Sequence, residues 1–216
     1  MLDPFELSNL ARVAYNKTAD KYHECFKDEM QQKEYDRFIL DRISNLTGQN
    51  SLICDAGCGP SGHIGKYLSD KGHKVIGIDI SERCIEIARN YNPSMQFEQM
   101  DLFKLKFEPN SFDAIISFYS ILYSSKNLLN RIFENFNKIL KPGGKLLVVI
   151  KKGVKEGFLE NDEWYKTKVY FSLFVENEIV KYFQDAGFSI DFLETRKPYD
   201  FEMKVERIYA IGTKIF

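Results

Sequence analysis

The stretch Asp55-Ala-Gly57-Cys-Gly59-Pro-Ser-Gly62 decides the fold, because it lies between an apolar run and an amphipathic run. The run before it, Ser51-Leu-Ile-Cys-Asp-Ala56, has the length and apolar content of a buried strand. A strand, a glycine-rich turn and a helix in this order are typical of a βαβ unit. We therefore expect a ligand site at the carboxyl end of this strand, where open α/β sheets bind their ligands.

Short apolar runs continue to alternate with amphipathic stretches after this turn, as they do in parallel α/β proteins. Ser81 is a typical helix N-cap residue, and Pro142-Gly143-Gly144 should end another helix. We predict an α/β fold, a Rossmann-like, mostly parallel seven-stranded sheet with helices on both faces and an N-terminal helical cap. The strands that follow the first are predicted at 73–79, 95–100, 112–118, 145–151, 188–194 and 207–214.

A length of 216 residues suits one domain with a single core. Within that domain, residues 1–47 are predicted to form the helical cap and residues 48–152 the cofactor-binding core. Residues 153–174 interrupt the rhythm and are expected to form a lid-like insertion rich in aromatic side chains. Residues 175–216 would then add a C-terminal helix and the last two strands.

Charge and composition restrict the class of partner. The chain has 30 basic and 31 acidic side chains and a formal net charge of -1, whereas nucleic-acid binders usually carry a basic surplus. The longest apolar runs are far shorter than the roughly 20 residues of a transmembrane helix, and the N-terminus lacks the features of a secretory signal. We expect a cytoplasmic protein that binds neither membranes nor nucleic acid. The four cysteines lack metal-ligand spacing, so we predict reduced thiols and no metal site.

The glycine pattern alone is ambiguous, because dinucleotide-binding turns also contain G-x-G-x-x-G. Asp55 directly precedes the turn, and its charge would repel a pyrophosphate placed beside it. A ligand with an ammonium group fits this carboxylate better. The alternative for Asp55 is a structural role in which it accepts hydrogen bonds from backbone amides of the turn.

Acidic residues also follow the next two predicted strands. Asp79 ends the second strand, where a carboxylate can accept hydrogen bonds from both hydroxyls of a ribose. Asp101 ends the third strand and is placed to accept from an adenine amino group, with Ile80 and Leu102 against the faces of the base. Three acids at successive strand ends favour an adenosine with a cationic tail over a dinucleotide. The alternative for Asp79 and Asp101 is that each is an ordinary strand-end residue.

These motifs resemble those of the class I S-adenosylmethionine-dependent methyltransferases, in particular the small-molecule branch of that family. Asp55-Ala-Gly-Cys-Gly59 resembles its first motif, Ile78-Asp79-Ile-Ser81 its second, and Asp101 its third. The resemblance implies S-adenosyl-L-methionine as the cofactor. It also implies roles for residues outside the three acids: Gly57, Cys58 and Gly59 in the turn, the carbonyl of Ser117 on the methionine ammonium group, and Tyr15 and Tyr22 closing the cap.

The function expected from this resemblance is transfer of a methyl group to an O, N, S or C atom of a small molecule by a monomer or homodimer. His23 is the first candidate for a general base, since its ordinary pKa suits proton removal near neutrality, and Tyr119 could orient the acceptor. We expect the acceptor to be faced by Tyr22, His23, Tyr119, Trp164 and Tyr170, with Arg196 available for an anionic acceptor. The alternatives are a methyltransferase acting on RNA or protein, a dinucleotide-dependent oxidoreductase, and a non-catalytic binding module on the same fold.

Overall fold

The structure is a computed structural model that describes residues 3–160 and 164–215. The chain begins with helices α1 (Pro4–Phe26) and α2 (Glu34–Thr47), joined by a 3₁₀ turn (Glu29–Gln31), before the first strand. The strands are β1 (Leu52–Ala56), β2 (Lys74–Asp79), β3 (Gln96–Gln99), β4 (Phe112–Phe118), β5 (Leu140–Lys151), β6 (Glu156–Leu159), β7 (Val169–Ser172), β8 (Phe188–Arg196) and β9 (Arg207–Lys214). The remaining helices are α3 (His63–Asp70), α4 (Glu82–Tyr91), α5 (Leu129–Ile139) and α6 (Glu176–Asp185), with 3₁₀ turns at Ser120–Tyr123 and Lys126–Leu128.

Seven strands form one sheet in the order β3-β2-β1-β4-β5-β9-β8. Strands β1 to β5 are parallel, and β9 pairs antiparallel with both β5 and β8. The strand order reverses between β1 and β4, and this reversal opens a crevice at the carboxyl ends of the strands. The predicted seven-stranded, mostly parallel α/β sheet with an N-terminal helix is confirmed.

Apolar clusters cover both faces of this sheet. One face packs against α5 and α6 through side chains such as Phe133, Phe136 and Phe183. The other packs against α2 and α3 through Ile39, Ile43 and Leu68. The strands are rich in fully buried Ile, Leu and Val because both faces of a parallel sheet are covered.

The buried stripe of α2 differs from the one that helical spacing suggested. Helical spacing would put Tyr35, Phe38, Ile39, Ile43 and Leu46 on one face, but Phe38 and Leu46 are exposed. Asp36 and Leu40 are buried instead, and the phenol of Tyr209 donates a hydrogen bond to the Asp36 carboxylate. The stripe is therefore rotated toward β9 by a polar contact that periodicity does not reveal.

Two further elements position the site. Helix α1 lies against α4, where Arg12 pairs with Glu82 at 3.0 Å and Arg83 with Asp20 at 2.6 Å. The insertion after β5 contains an antiparallel hairpin of β6 and β7, and β7 contacts α1. Within the described residues, no helix combines the length and apolar character needed to span a membrane.

Candidate active site

The glycine turn after β1 brings backbone close to two other segments. The amides of Gly57 and Cys58 both donate to the carbonyl of Ile78, at 2.8 and 2.9 Å, which holds the turn against β2. Gly57 has a φ of +85°, and a Cβ on it would lie 2.2 Å from the Cβ of Ser120. Gly59, at φ +62°, would have open space around such a Cβ. The turn therefore requires glycine at 57 and leaves room for a ligand above 59.

Asp55 lies beneath this turn with only 1% of its surface exposed. Its Oδ2 accepts a hydrogen bond from the amide of Gly65 at 2.9 Å, so the structural role considered for it is real. Burial raises the pKa of Asp55 to about 7, helped by the nearby Asp79, although His63 and the Gly65 amide act in the opposite direction. Asp55 also lines the pocket, where a ligand cation would favour its ionised form.

Asp79 is equally enclosed. Its Oδ2 accepts from the amide of Gly59 at 3.0 Å and its Oδ1 from the amide of Ser81 at 2.9 Å, so it joins the glycine turn to the start of α4. Burial raises the pKa of Asp79 to about 6, while these amide bonds lower it. Each carboxylate oxygen has a second lone pair, which leaves both able to accept from ligand hydroxyls.

Asp101, Ile80 and Leu102 line the same pocket beside Asp79. The Oδ1 of Asp101 accepts from the amide of Phe103 at 2.9 Å, and this bond fixes the loop that follows β3. Because β1, β2 and β3 are neighbours, the three aspartates lie in a row along one edge of the sheet.

Tyrosines from the cap close the pocket. Tyr15 and Tyr22 both line it, with ring centroids 6.0 Å apart. The Tyr15 hydroxyl donates to that of Tyr123 at 2.6 Å, and Tyr123 in turn lies 2.6 Å from the hydroxyl of Tyr165. This chain of phenols links the cap, the turn after β4 and the insertion.

The end of β4 supplies the next part of the wall. Tyr119 lines the pocket at a φ of +58°, which is a strained conformation for a bulky side chain. Its hydroxyl is buried and has no hydrogen-bond partner among the residues that the structure describes, and burial raises its pKa to about 12. Ser117 is fully buried, with its Oγ 2.7 Å from that of Ser120, and Ser120 rather than Ser117 borders the pocket.

Glu29 and His63 form a buried pair that sequence reasoning did not find. Both line the pocket, and the Glu29 carboxylate lies 2.7 Å from His63 Nε2 and 2.7 Å from the Lys33 ammonium. Burial opposes the ionisation of Glu29, but His63 and Lys33 outweigh it and lower its pKa to about 2. In the sequence the only feature of His63 is its position directly after the glycine turn, and Glu29 has no distinguishing feature within its polar segment.

Several residues expected to face the acceptor lie elsewhere. His23 is outside the pocket lining, with Nδ1 3.1 Å from Ser61 Oγ and its ring 4.6 Å from that of Tyr91. It is thus not placed to take a proton from a ligand in the pocket. Arg196 is not available for an anion, because it pairs with Glu202 at 2.9 Å and contacts the Tyr209 hydroxyl. Tyr170 is buried against Phe158, whereas Trp164 packs near Tyr22 with centroids 6.3 Å apart.

The pocket encloses about 990 Å³ of empty space, its open mouth included. Four carboxylates border it, from Glu29, Asp55, Asp79 and Asp101, and His63 is the one basic side chain among the described lining residues. No cluster of three or more His, Cys, Asp or Glu side chains suited to a metal occurs in residues 3–160 and 164–215. This arrangement suits a cationic adenosine and is unfavourable for a pyrophosphate.

Comparison with known proteins agrees with this geometry. A family model described as a methyltransferase domain matches residues 53–144. Phosphoethanolamine N-methyltransferase of Plasmodium falciparum is 35% identical over 104 residues, covering 46% of this chain and 39% of that protein. The tRNA N(3)-methylcytidine methyltransferase Mettl2 of Drosophila melanogaster is 29% identical over 164 residues, covering 64% of this chain and 49% of that protein. The chain thus spans less than half the length of these curated relatives.

A solved structure shares the fold over the whole chain. It is the 1,6-didemethyltoxoflavin-N1-methyltransferase of Burkholderia thailandensis, with bound 1,6-didemethyltoxoflavin and S-adenosylhomocysteine. The TM-score is 0.74 at 16% identity, and the match covers 100% of this chain and 92% of that one. At this identity the match establishes the architecture.

Proposed function

Because this chain belongs to the class I, Rossmann-like S-adenosylmethionine-dependent methyltransferases, we propose that it transfers a methyl group to an O, N, S or C atom of a small molecule. The observation that carries the proposal is the row of Asp55, Asp79 and Asp101 around a glycine turn, in a pocket closed by tyrosines. S-adenosylmethionine supplies an activated methyl group when it is bound there.

The residues present fit the cofactor. Asp79 would accept from the ribose hydroxyls, and Asp101 from the adenine amino group, with Ile80 and Leu102 against the base. Asp55 would face the methionine ammonium group through the oxygen that is not bound to Gly65. Gly57, Cys58 and Gly59 would pass beneath the ligand, the carbonyl of Ser117 would accept from the ammonium group, and Tyr15 and Tyr22 would cover it.

The protein's contribution to the reaction is mainly alignment and exclusion of water. Holding two reacting groups in line can supply up to roughly 7–11 kcal/mol of the barrier reduction. Tyr119, fixed by its strained backbone at the end of β4, would help to orient the acceptor. A general base is needed only for an acceptor that is protonated at the working pH, and the position of His23 outside the pocket argues against that residue.

The enclosure of the pocket supports a small acceptor. Aromatic side chains of the cap and of the turn after β4 wall it, and a partly apolar cavity with a few polar groups is typical of small-molecule sites. The named relatives act on phosphoethanolamine and on tRNA. An RNA or protein acceptor is therefore the second candidate, and it predicts an open basic surface beside the methyl position.

The test combines binding with turnover. Calorimetry should show binding of S-adenosylmethionine and S-adenosylhomocysteine and much weaker binding of NAD. A screen of small acceptors, tRNA and protein extract with methyl-labelled cofactor should then give label transfer to a small molecule. Tight NAD binding without a response to the methyl donor would refute the proposal, and transfer to tRNA alone would establish the second candidate.

As part of the same proposal we place the protein in the cytoplasm. Cys25, Cys54, Cys58 and Cys84 are all free thiols, and three of them are buried. Proteins of oxidising compartments usually pair their cysteines. Fractionation of the source cells with an antibody against this chain tests the location, and recovery outside the cytosolic fraction would contradict it.

A further inference from the structure

Lys151 is a half-buried cation that has no ion-pair partner within residues 3–160 and 164–215. It ends β5 and pairs in register with Arg207 of β9. Its Nζ lies 6.0 Å from the ring centroid of Tyr119 and 5.5 Å from that of Phe171, which belongs to the insertion hairpin. The ammonium group thus lies between the end of β4 and the insertion, next to a residue that lines the cofactor pocket.

The other cations around it have carboxylate partners. Lys33 pairs with Glu29 at 2.7 Å. Glu202 serves both Arg196, at 2.9 Å, and Arg207, at 3.5 Å. Lys151 has no ion pair or hydrogen bond from its ammonium group to any residue in 3–160 or 164–215.

Loss of solvation on burial also disfavours the charged form of Lys151. Burial, together with the nearby charges of Arg207 and Lys33, lowers the pKa of Lys151 to about 8, against the opposing effect of Glu202. An ammonium group largely removed from water is costly unless an anion pairs with it. A ligand that brings a negative charge would relieve this cost.

Tyr119 offers a second unused donor beside Lys151. Its hydroxyl is buried and lacks a partner, although buried polar groups are nearly always hydrogen-bonded. Its strained φ of +58° holds the ring between the pocket and the lysine. The Lys151 ammonium group and the Tyr119 ring, 6.0 Å apart, therefore lie side by side next to the pocket, which Tyr119 lines.

The neighbouring lysines behave differently. Lys141 and Lys145 also lie in β5, and Lys152 directly follows it; each has a carboxylate within 3.3 Å, from Asp113, Asp191 and Glu176 respectively. They are surface ion pairs of the ordinary kind. Of these four lysines, Lys151 alone has no ion-pair partner among the described residues. Its ammonium group lies next to Tyr119, which lines the pocket.

We propose that Lys151 and Tyr119 bind an acidic group of the methyl acceptor, so that the acceptor is a small anion carrying a carboxylate or a phosphate. This inference rests on the proposed methyltransferase function and specifies its substrate class. The acidic group lies between Lys151, Tyr119 and Phe171, and it orients the acceptor with its nucleophilic atom toward the methyl position.

The first experiment measures anion binding without turnover. Wild-type protein saturated with S-adenosylhomocysteine is titrated with inorganic phosphate and with acetate at constant ionic strength, and the melting temperature is followed. We expect one of these anions to stabilise the wild type and the Lys151→Arg variant, but not Lys151→Met. The more stabilising anion indicates whether phosphate or carboxylate is preferred. Lys152→Met is the matched control, because it removes an adjacent lysine that is already paired, and it should respond like the wild type.

The second experiment uses acceptors found by the turnover screen, each paired with its uncharged amide or ester. For the acidic member, Lys151→Met should raise KM by about tenfold or more, as expected for the loss of a charge-assisted hydrogen bond, with a much smaller change in kcat. Cofactor affinity should be unchanged.

Three results would overturn the inference. If the anions stabilised Lys151→Met as much as the wild type, Lys151 would not form part of an anion site. A higher kcat/KM for the uncharged acceptors than for the acidic ones would contradict an anionic substrate. An equal loss of kcat for acidic and uncharged acceptors would make Lys151 a proton acceptor instead. If the wild type failed to bind S-adenosylhomocysteine, the proposed function would fail, while anion binding by the protein alone would still be measurable.

Discussion

The carboxylate of Glu29 lies 2.7 Å from Nε2 of His63, and this contact joins the turn between the two N-terminal helices to the first residue of α3. The same carboxylate also holds the buried ammonium group of Lys33. The Glu29–His63 contact thus holds the N-terminal cap to the start of α3, at the wall of the pocket.

Replacing Glu29 with Gln should destabilise the protein. The amide removes the closest counter-charge of the buried Lys33 ammonium group, but Glu202 at 3.6 Å and Asp36 at 3.8 Å remain, so we expect a loss of about 1–3 kcal/mol. Urea unfolding of the Glu29→Gln variant measures this loss. Glu24→Gln is the control, because Glu24 is an exposed acid of the same cap that pairs with Lys27 on the surface. Equal midpoints for the two variants would contradict the importance of the Glu29 pair.

Cofactor affinity should depend on the ionisation of Asp55. Its pKa is raised to about 7 in the free protein, so the carboxylate that binds an ammonium group forms as the pH rises through this value. We therefore expect S-adenosylhomocysteine to bind more tightly at pH 8 than at pH 6. Calorimetry across this range measures the change, and Asp55→Asn should leave only the smaller change due to Asp79, whose pKa is raised to about 6.

5′-Methylthioadenosine provides the ligand control, because it lacks the amino-acid part. The affinity for this ligand should change with pH in a single step, near pH 6, that reflects the ionisation of Asp79. The stability of the free protein should change in the opposite sense. A carboxyl whose pKa is raised on folding stabilises the fold below its unfolded pKa, and this contribution is lost as the pH rises from about 4 to about 7. A pH-independent affinity for S-adenosylhomocysteine would place the ammonium group elsewhere.

Asp79→Ala should weaken cofactor binding and also loosen the glycine turn. The Asp79 carboxylate accepts from the amides of Gly59 and Ser81, so its removal leaves these donors as well as the ribose hydroxyls less well paired. We expect a loss of roughly 1–3 kcal/mol in binding free energy. Calorimetry with S-adenosylhomocysteine and a thermal melt separate the two effects. Unchanged affinity in a folded variant would show that the adenosine does not bind against Asp79.

Gly57→Ala should be more harmful than a backbone effect alone explains. Gly72→Ala is the matched control, because Gly72 has a similar φ of +93° but open space around its Cβ position. Both alanines incur the left-handed conformation, at about 1–2 kcal/mol, but only the one at 57 collides with Ser120. The double variant Gly57→Ala/Ser120→Gly should recover stability relative to Gly57→Ala, measured against Ser120→Gly alone by thermal melting. A lack of recovery would mean that Ser120 is not the obstacle.

The sequence by itself determined the sheet and the acidic side of the pocket. Strands, the glycine turn and Asp55, Asp79 and Asp101 are readable because each depends on residues within a few positions, and parallel strands bring their carboxyl ends to one edge. The N-cap role of Ser81 was readable for the same reason, since its hydroxyl accepts from the amide of Cys84 within one turn. The start of β5 was not, because residues 140–144 join the strand only through their contacts with β4 and its irregular register.

Only the tertiary structure decided which side chains complete the site. Glu29 and His63 are 34 positions apart, and nothing in either local sequence encodes their contact. The sequence does not show which basic residues are paired. In the folded chain Arg196 pairs with Glu202, whereas Lys151 has no ion-pair partner among the described residues. His23 and Tyr22 are neighbours in α1, but the 100° rotation between successive helical residues turns one toward the pocket and the other toward Ser61 and Tyr91. Local patterns specify the elements, whereas the pairing of charges and the direction of side chains depend on how distant elements pack.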